Sequence, residues 1–137
     1  MSRKAAPILI LGWLIPGAGH FLLGRRPQAL VFFVTITATY LLGMFLTDFT
    51  NVSPDRHPFY YAAYVFNGAQ TILATVLTQD LVLTRVPTHF GISTMDVGIV
   101  YTAVASLLNI IVVMDAWGHA AGIRPLPRKA AKEAEAV

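Results

Sequence analysis

Asp115 and His119 stand four residues apart with Trp117 between them, so on a helix the carboxylate and the imidazole share a face. A carboxylate inside an apolar segment is a functional signal, because an ionised group is costly there. Asp115 lies a few residues from the expected helix end, which favours an anchoring hydrogen bond over a proton relay or cofactor ligation. Four imidazoles, those of His20, His57, His89 and His119, are of a kind that ligates haem iron or chlorophyll magnesium. His57 and His89 fall in expected loops, leaving His20 and His119 as the candidate cofactor ligands. No His-x-x-x-His pair occurs, and Asp115 with His119 alone is a weak metal signal. Ser2, Ser53, Ser93 and Ser106 lack a nucleophile context, and no glycine-rich phosphate loop follows a strand. The chain has no cysteine, which excludes disulfides and thiolate chemistry. The reading is therefore non-enzymatic with no cofactor predicted, haem or chlorophyll standing as the alternative.

A second group of residues suits packing. Thr35, Thr39, Gly43 and Thr47 recur every four residues, a stripe on which another helix backbone can approach closely. Asn67, Gln70, Thr71, Thr75 and Thr78 follow helical steps and make a polar stripe facing protein or a wet cavity, and Asn109 sits near the middle of the last apolar segment.

The elements that must hold these residues are four runs free of Asp, Glu, Lys and Arg: residues 5–24, 27–47, 57–79 and 97–114. A helix rises ~1.5 Å per residue and a bilayer's hydrocarbon core is ~30 Å thick, so each run nearly or fully spans it. The chain is 55% hydrophobic and 12% charged, too apolar for an ordinary soluble domain. The expected fold is all-α: one compact integral membrane domain of four transmembrane helices over about 5–24, 28–47, 59–81 and 97–120, with a polar tail at 123–137. The first helix is short or kinked, because Pro16 cannot donate to Gly12 and its ring crowds that turn; it is read as a retained helix and not a cleaved signal peptide. Phe59, Tyr60, Tyr61 and Tyr64 suit an aromatic belt at headgroup level. No internal repeat is evident.

With four spans, Arg3, Lys4, Arg56, Arg124, Arg128, Lys129 and Lys132 share one side, and Arg25, Arg26 and Arg85 the other. That bias places both termini in the cytoplasm, consistent with a bacterial inner membrane. It also puts Asp115 within reach of Arg3, Lys4 or Arg124. The net charge of +3 is thus a topology signal, and no nucleic-acid partner is expected.

The segment from Trp13 to Arg26 reads Trp-Leu-Ile-Pro-Gly-Ala-Gly-His-Phe-Leu-Leu-Gly-Arg-Arg. Gly17, Gly19, His20, Phe21, Gly24 and Arg25 resemble the glycine-rich turn of the TM-two domain, a membrane module of two helices joined by a short turn; Leu22 stands where that pattern usually has Tyr. The resemblance covers roughly residues 5–47. It implies architecture more than activity, since that family has no agreed biochemical function. Physically, Gly17 and Gly19 suit a tight turn, while Arg25 and Arg26 suit phosphate headgroups at the interface.

The functional expectation is a non-catalytic accessory or scaffolding subunit that packs against other integral membrane proteins and phospholipid. The alternatives are a pigment- or haem-contacting subunit of a photosynthetic or respiratory complex, and a small transporter or proton-conducting protein using Asp115 and the Asn67/Gln70 stripe.

Overall fold

The computed structural model describes residues 5–52, 58–84 and 92–123, and these are helical without a strand among them. Six α-helices follow in order: α1 (Ala5–Leu14), α2 (Ala18–Leu22), α3 (Arg26–Leu46), α4 (Pro58–Tyr64), α5 (Gly68–Thr84) and α6 (Ile92–Ala120), with one 3₁₀ turn at Val65–Asn67. Among the described residues two helices, not four, are long and apolar enough to cross a membrane: Arg26–Leu46 and Thr94–Ala120.

The first expected span is half a span. Helix α1 is 10 residues long, roughly 15 Å at 1.5 Å per residue. It stops where the missing donor of Pro16 predicts, and Gly17 then turns the chain back with φ 81°. No other residue fits at Gly17: besides its left-handed backbone, an added Cβ would lie 2.4 Å from the Ala29 carbonyl oxygen. Helix α2 returns alongside α1, so that a Cβ on Gly19 would lie 2.8 Å from Ala116 Cβ and 3.3 Å from Ile8.

The third expected span is also broken. Asn67-Gly68 interrupts it, Gly68 adopting φ 45° and ψ −115°, and a Cβ there would collide with the Trp13 carbonyl. Helix α4 runs into this turn and α5 runs back out. Thr71 Oγ1 donates to the Tyr64 carbonyl at 2.5 Å and lies 2.9 Å from Tyr40 Oη; with its own proton spent on Tyr64, Thr71 accepts the Tyr40 hydroxyl proton. Tyr61 Oη lies 3.3 Å from Thr75 Oγ1. Tyr64 is wholly buried and part of the core with Ile36, Tyr40, Met44, Val52, Ala74, Ala105 and Val112, so it does not join an aromatic belt; Phe59 and Tyr60 are exposed.

Helices α3 and α6 run antiparallel. At one end Gly43 meets Gly98 and Thr102 so closely that a Cβ would lie 2.6 Å from the Thr102 amide nitrogen. Asn51 Nδ2 donates to Thr102 Oγ1 at 2.8 Å, and Thr102 donates to the Gly98 carbonyl at 3.0 Å. At the other end the α2–α3 connection meets the last turns of α6. Of the threonine stripe, Gly43 and Thr47 are buried at this crossing, whereas Thr35 is exposed and Thr39 bonds back to the Thr35 carbonyl at 2.8 Å.

The chain therefore has two halves with the same order of parts: a helical hairpin, α1–α2 or α4–α5, then a longer helix, α3 or α6. The first hairpin enters from the end of the bundle where α6 finishes, the second from the end where α6 begins. Their tips meet near the middle of α6. Trp13 Nε1 donates to the Val65 carbonyl at 2.9 Å, and Asn109 Nδ2 donates to the carbonyls of Trp13 (3.3 Å) and Phe66 (3.0 Å). This inverted relationship leaves no readable trace as a sequence repeat.

Candidate functional site

Where the first hairpin returns beside the end of α6, four side chains converge. Asp115 Oδ2 lies 3.1 Å from His20 Nε2, 3.6 Å from His119 Nε2 and 4.0 Å from Arg25 Nη1. The α-helical four-residue step brings His119 over Asp115, as its spacing predicts. The hairpin brings His20 and Arg25, which sequence spacing does not reveal. The expected partners Arg3, Lys4 and Arg124 lie outside the described residues.

The environment of these groups is graded. The His20 side chain is fully buried, with Phe32 edge-on at 4.9 Å, while that of Asp115 is 28% exposed. An ionised Asp115 requires Nε2 of His20 to be the donor, which leaves Nδ1 as a buried acceptor without a partner. Arg25 Nε and Nη1 and Trp117 Nε1 are further buried donors lacking a hydrogen-bond acceptor. The arrangement can hold one carboxylate charge among surrounding donors and can bind the hairpin to α6.

As a ligand for haem or chlorophyll, His20 does not fit: its Nε2 is committed to Asp115 and the ring is enclosed on every side. Among the described residues no group of three or more His, Asp or Glu side chains, the Asp115 cluster included, is disposed so that it could hold a metal ion.

Gly17, Gly19, His20, Phe21, Gly24 and Arg25 of the glycine-rich turn each have a definite place in this structure. Gly17 makes the turn against Ala29, and Gly19 lets α2 approach Ala116. His20 and Arg25 face Asp115, and Gly24 takes φ 77° ahead of α3. Phe21 supplies a ring on which the Arg26 guanidinium rests, 5.7 Å from the centroid. The two adjacent arginines, read together as headgroup contacts, thus part company: Arg25 turns inward and Arg26 outward.

Among the packing candidates, Asn67 Nδ2 donates to Gln70 Oε1 at 2.7 Å and Gln70 Nε2 donates to Thr37 Oγ1 at 2.6 Å. The expected stripe is therefore tied to α3, and Gln70 and Thr78 also line a groove between α5 and α3. Asn109 is the clamp on both hairpin tips. Its carbonyl partners in Trp13 and Phe66 are backbone groups, which side-chain patterns do not disclose. The Asn67-Gly68 dipeptide, a strong turn signal, is the one feature that marks the second tip.

No curated protein and no solved structure matches the chain. A family model described as a family of unknown function (DUF6677) matches residues 7–129, which takes in both hairpins, both long helices and the Asp115 cluster, and the chain belongs to that family.

Proposed function

We propose that the chain is a non-catalytic subunit of a membrane protein assembly, a packing module that offers α3 and α6 to other integral membrane proteins and its arginine-bearing end to phospholipid. The observation that carries this reading is how the two kinds of side chain are used. His20, Asp115, Asn109, Asn51, Tyr40 and Gln70 each join one element to another. The outward faces of α3 and α6 carry exposed Leu30, Val34, Leu41, Val104, Leu107 and Ile111, a surface suited to acyl chains or partner helices.

In a bilayer the two hairpins would be re-entrant, with their irregular tips buried in protein as hydrocarbon surroundings demand. The charge pattern supports that topology. Counted by the end from which each segment leaves, Arg3, Lys4, Arg25, Arg26, Arg124, Arg128, Lys129 and Lys132 belong to one side and Arg56 and Arg85 to the other. This asymmetry exceeds that of the four-span arrangement and keeps both termini cytoplasmic, in a bacterial inner membrane. The resemblance of residues 5–47 to the TM-two module belongs to the same proposal.

Affinity purification of the tagged chain from its native membrane in mild detergent, with mass spectrometry of the eluate, tests it. Integral membrane proteins should co-elute in fixed ratio. Elution of the chain alone, before and after cross-linking in the membrane, would reject the subunit reading.

The opposed hairpins meeting halfway favour one rival, a small transporter, because transporter sites form where inverted elements meet. Proteoliposomes with an internal pH dye separate the two. A proton flux abolished by Asp115→Asn in an otherwise intact protein would replace the subunit reading.

A further inference from the structure

An apolar groove of about 410 Å³ opens between the hairpin turn and the first half of α3, within the ~300–1,000 Å³ usual for small-molecule sites. Ile15, Pro16, Ala29, Leu30 and Phe33 are among its lining residues, and Arg26 is the charged one. The guanidinium rests on Phe21, which also lines the groove, so the cation is held at the apolar surface. Among the described residues no ion pair involves Arg26, and the first turn of α3 contains no acidic residue. One charged end of positive sign on an otherwise apolar groove is complementary to an amphiphile with an anionic head. The larger groove between α3 and α6 has the opposite disposition, since Asp115 lines it.

We infer that this groove holds an acyl chain of an anionic phospholipid whose phosphate sits on Arg26. The inference rests on the membrane reading above and names the lipid class and the residue that selects it. Arg25 is not part of the site, being turned to Asp115. The phosphate supplies acceptors that match the guanidinium's donors and cancels its charge at low dielectric. The chain replaces solvent or disordered lipid along Leu30 and Phe33.

Native mass spectrometry of the full chain, released from micelles containing palmitoyl-oleoyl phosphatidylglycerol or the phosphatidylcholine equivalent, tests it. Phosphatidylglycerol should be retained about tenfold better, because its phosphate has no cation of its own and is neutralised by Arg26, whereas the phosphate of phosphatidylcholine is already offset by the choline ammonium. Arg26→Gln should abolish that preference and Arg26→Lys should restore part of it. Leu30→Trp, which fills the groove, should reduce retention of both lipids, whereas Leu41→Trp on another stretch of α3 should not. Circular dichroism and gel filtration identify any variant that has not folded, and the Arg26→Lys comparison then carries the result. Equal retention of the two lipids by the wild type, or an undiminished preference in Arg26→Gln, overturns the inference. Displacement of the lipid by glycerol phosphate alone also overturns it, since a free phosphate site needs no acyl chain. Wild-type capture of a partner helix in place of lipid, lost in Leu30→Trp, does the same. Resistance of the chain to carbonate extraction tests membrane residence separately, so a membrane-embedded chain that keeps no phosphatidylglycerol sinks the lipid site alone.

Discussion

His20 Nε2 lies 3.1 Å from Asp115 Oδ2 across 95 residues of sequence, and this contact ties the returning arm of the first hairpin to the last turns of α6. A hydrogen bond to a charged group contributes about 1.5–3 kcal/mol, and leaving a buried donor unmatched costs about as much again. Asp115→Asn keeps an oxygen acceptor for His20 and should lower stability by about 1–2 kcal/mol. Asp115→Leu removes the acceptor facing His20, Arg25 and His119 together, and should cost about 3–5 kcal/mol. Thermal unfolding in detergent reads the order; equal effects of the two variants would show that the oxygen acceptor kept by Asn does nothing for the fold.

Asn109 offers a sharper test, because a single amide serves two hairpins. Asn109→Leu should cost about 2–4 kcal/mol by leaving the Trp13 and Phe66 carbonyls without this donor. Asn109→Asp should do worse, since an ionised carboxylate would face the same two carbonyl oxygens with no donor to give them. Reversal of that order in chemical unfolding would mean that the hairpin tips do not rely on this donor.

Part of this arrangement is legible in the chain and part is not, for physical reasons. Pro16 and Gly17 end α1 through local backbone chemistry, and Asp115 and His119 share a face by helical period alone. The second hairpin is hidden inside a long run without charges, where the continuous apolar pattern of a spanning helix outweighs one Asn-Gly turn signal. Tyr64 stands among belt-like aromatics and yet is core, because α4 packs against α6, where the Tyr64 hydroxyl donates to the Ile99 carbonyl at 3.3 Å. The divergence of Arg25 and Arg26 depends on the Gly24 backbone angle, and the His20–Asp115 contact on the whole route of the chain, neither of which composition or period encodes.

The glycines separate backbone strain from lack of space. Gly17 and Gly24 have nearly the same angle, φ 81° and φ 77°, but an added Cβ meets the Ala29 carbonyl at 2.4 Å in the first case and nothing within 4 Å in the second. Gly24→Ala should cost the left-handed penalty alone, about 1–2 kcal/mol. Gly17→Ala should add a collision with backbone and exceed it by at least ~2 kcal/mol. Gly19→Val should likewise damage assembly more than Leu22→Val, because Gly19 abuts Ala116 while Leu22 is exposed. Expression and co-purification of the four variants, compared side by side, decide whether this turn is as tight as its contacts require.

The two topologies that the charge pattern permits differ in where residues 28 and 59 emerge. Four crossings place Gln28 outside and Phe59 in the cytoplasm. Two crossings with opposed hairpins place Gln28 in the cytoplasm and Phe59 outside. The chain contains no cysteine, so single cysteines introduced at these positions report without background. Both sites are accessible, Phe59 being 89% exposed and Gln28 also exposed. Phe59→Cys should react with a membrane-impermeant maleimide in intact cells, and Gln28→Cys only after the cells are opened. The reverse pattern would restore four crossings and detach Arg25 from the side where α6 ends. That outcome is incompatible with Arg25 lying 4.0 Å from Asp115, so the labelling experiment tests the Asp115 cluster and the topology at once.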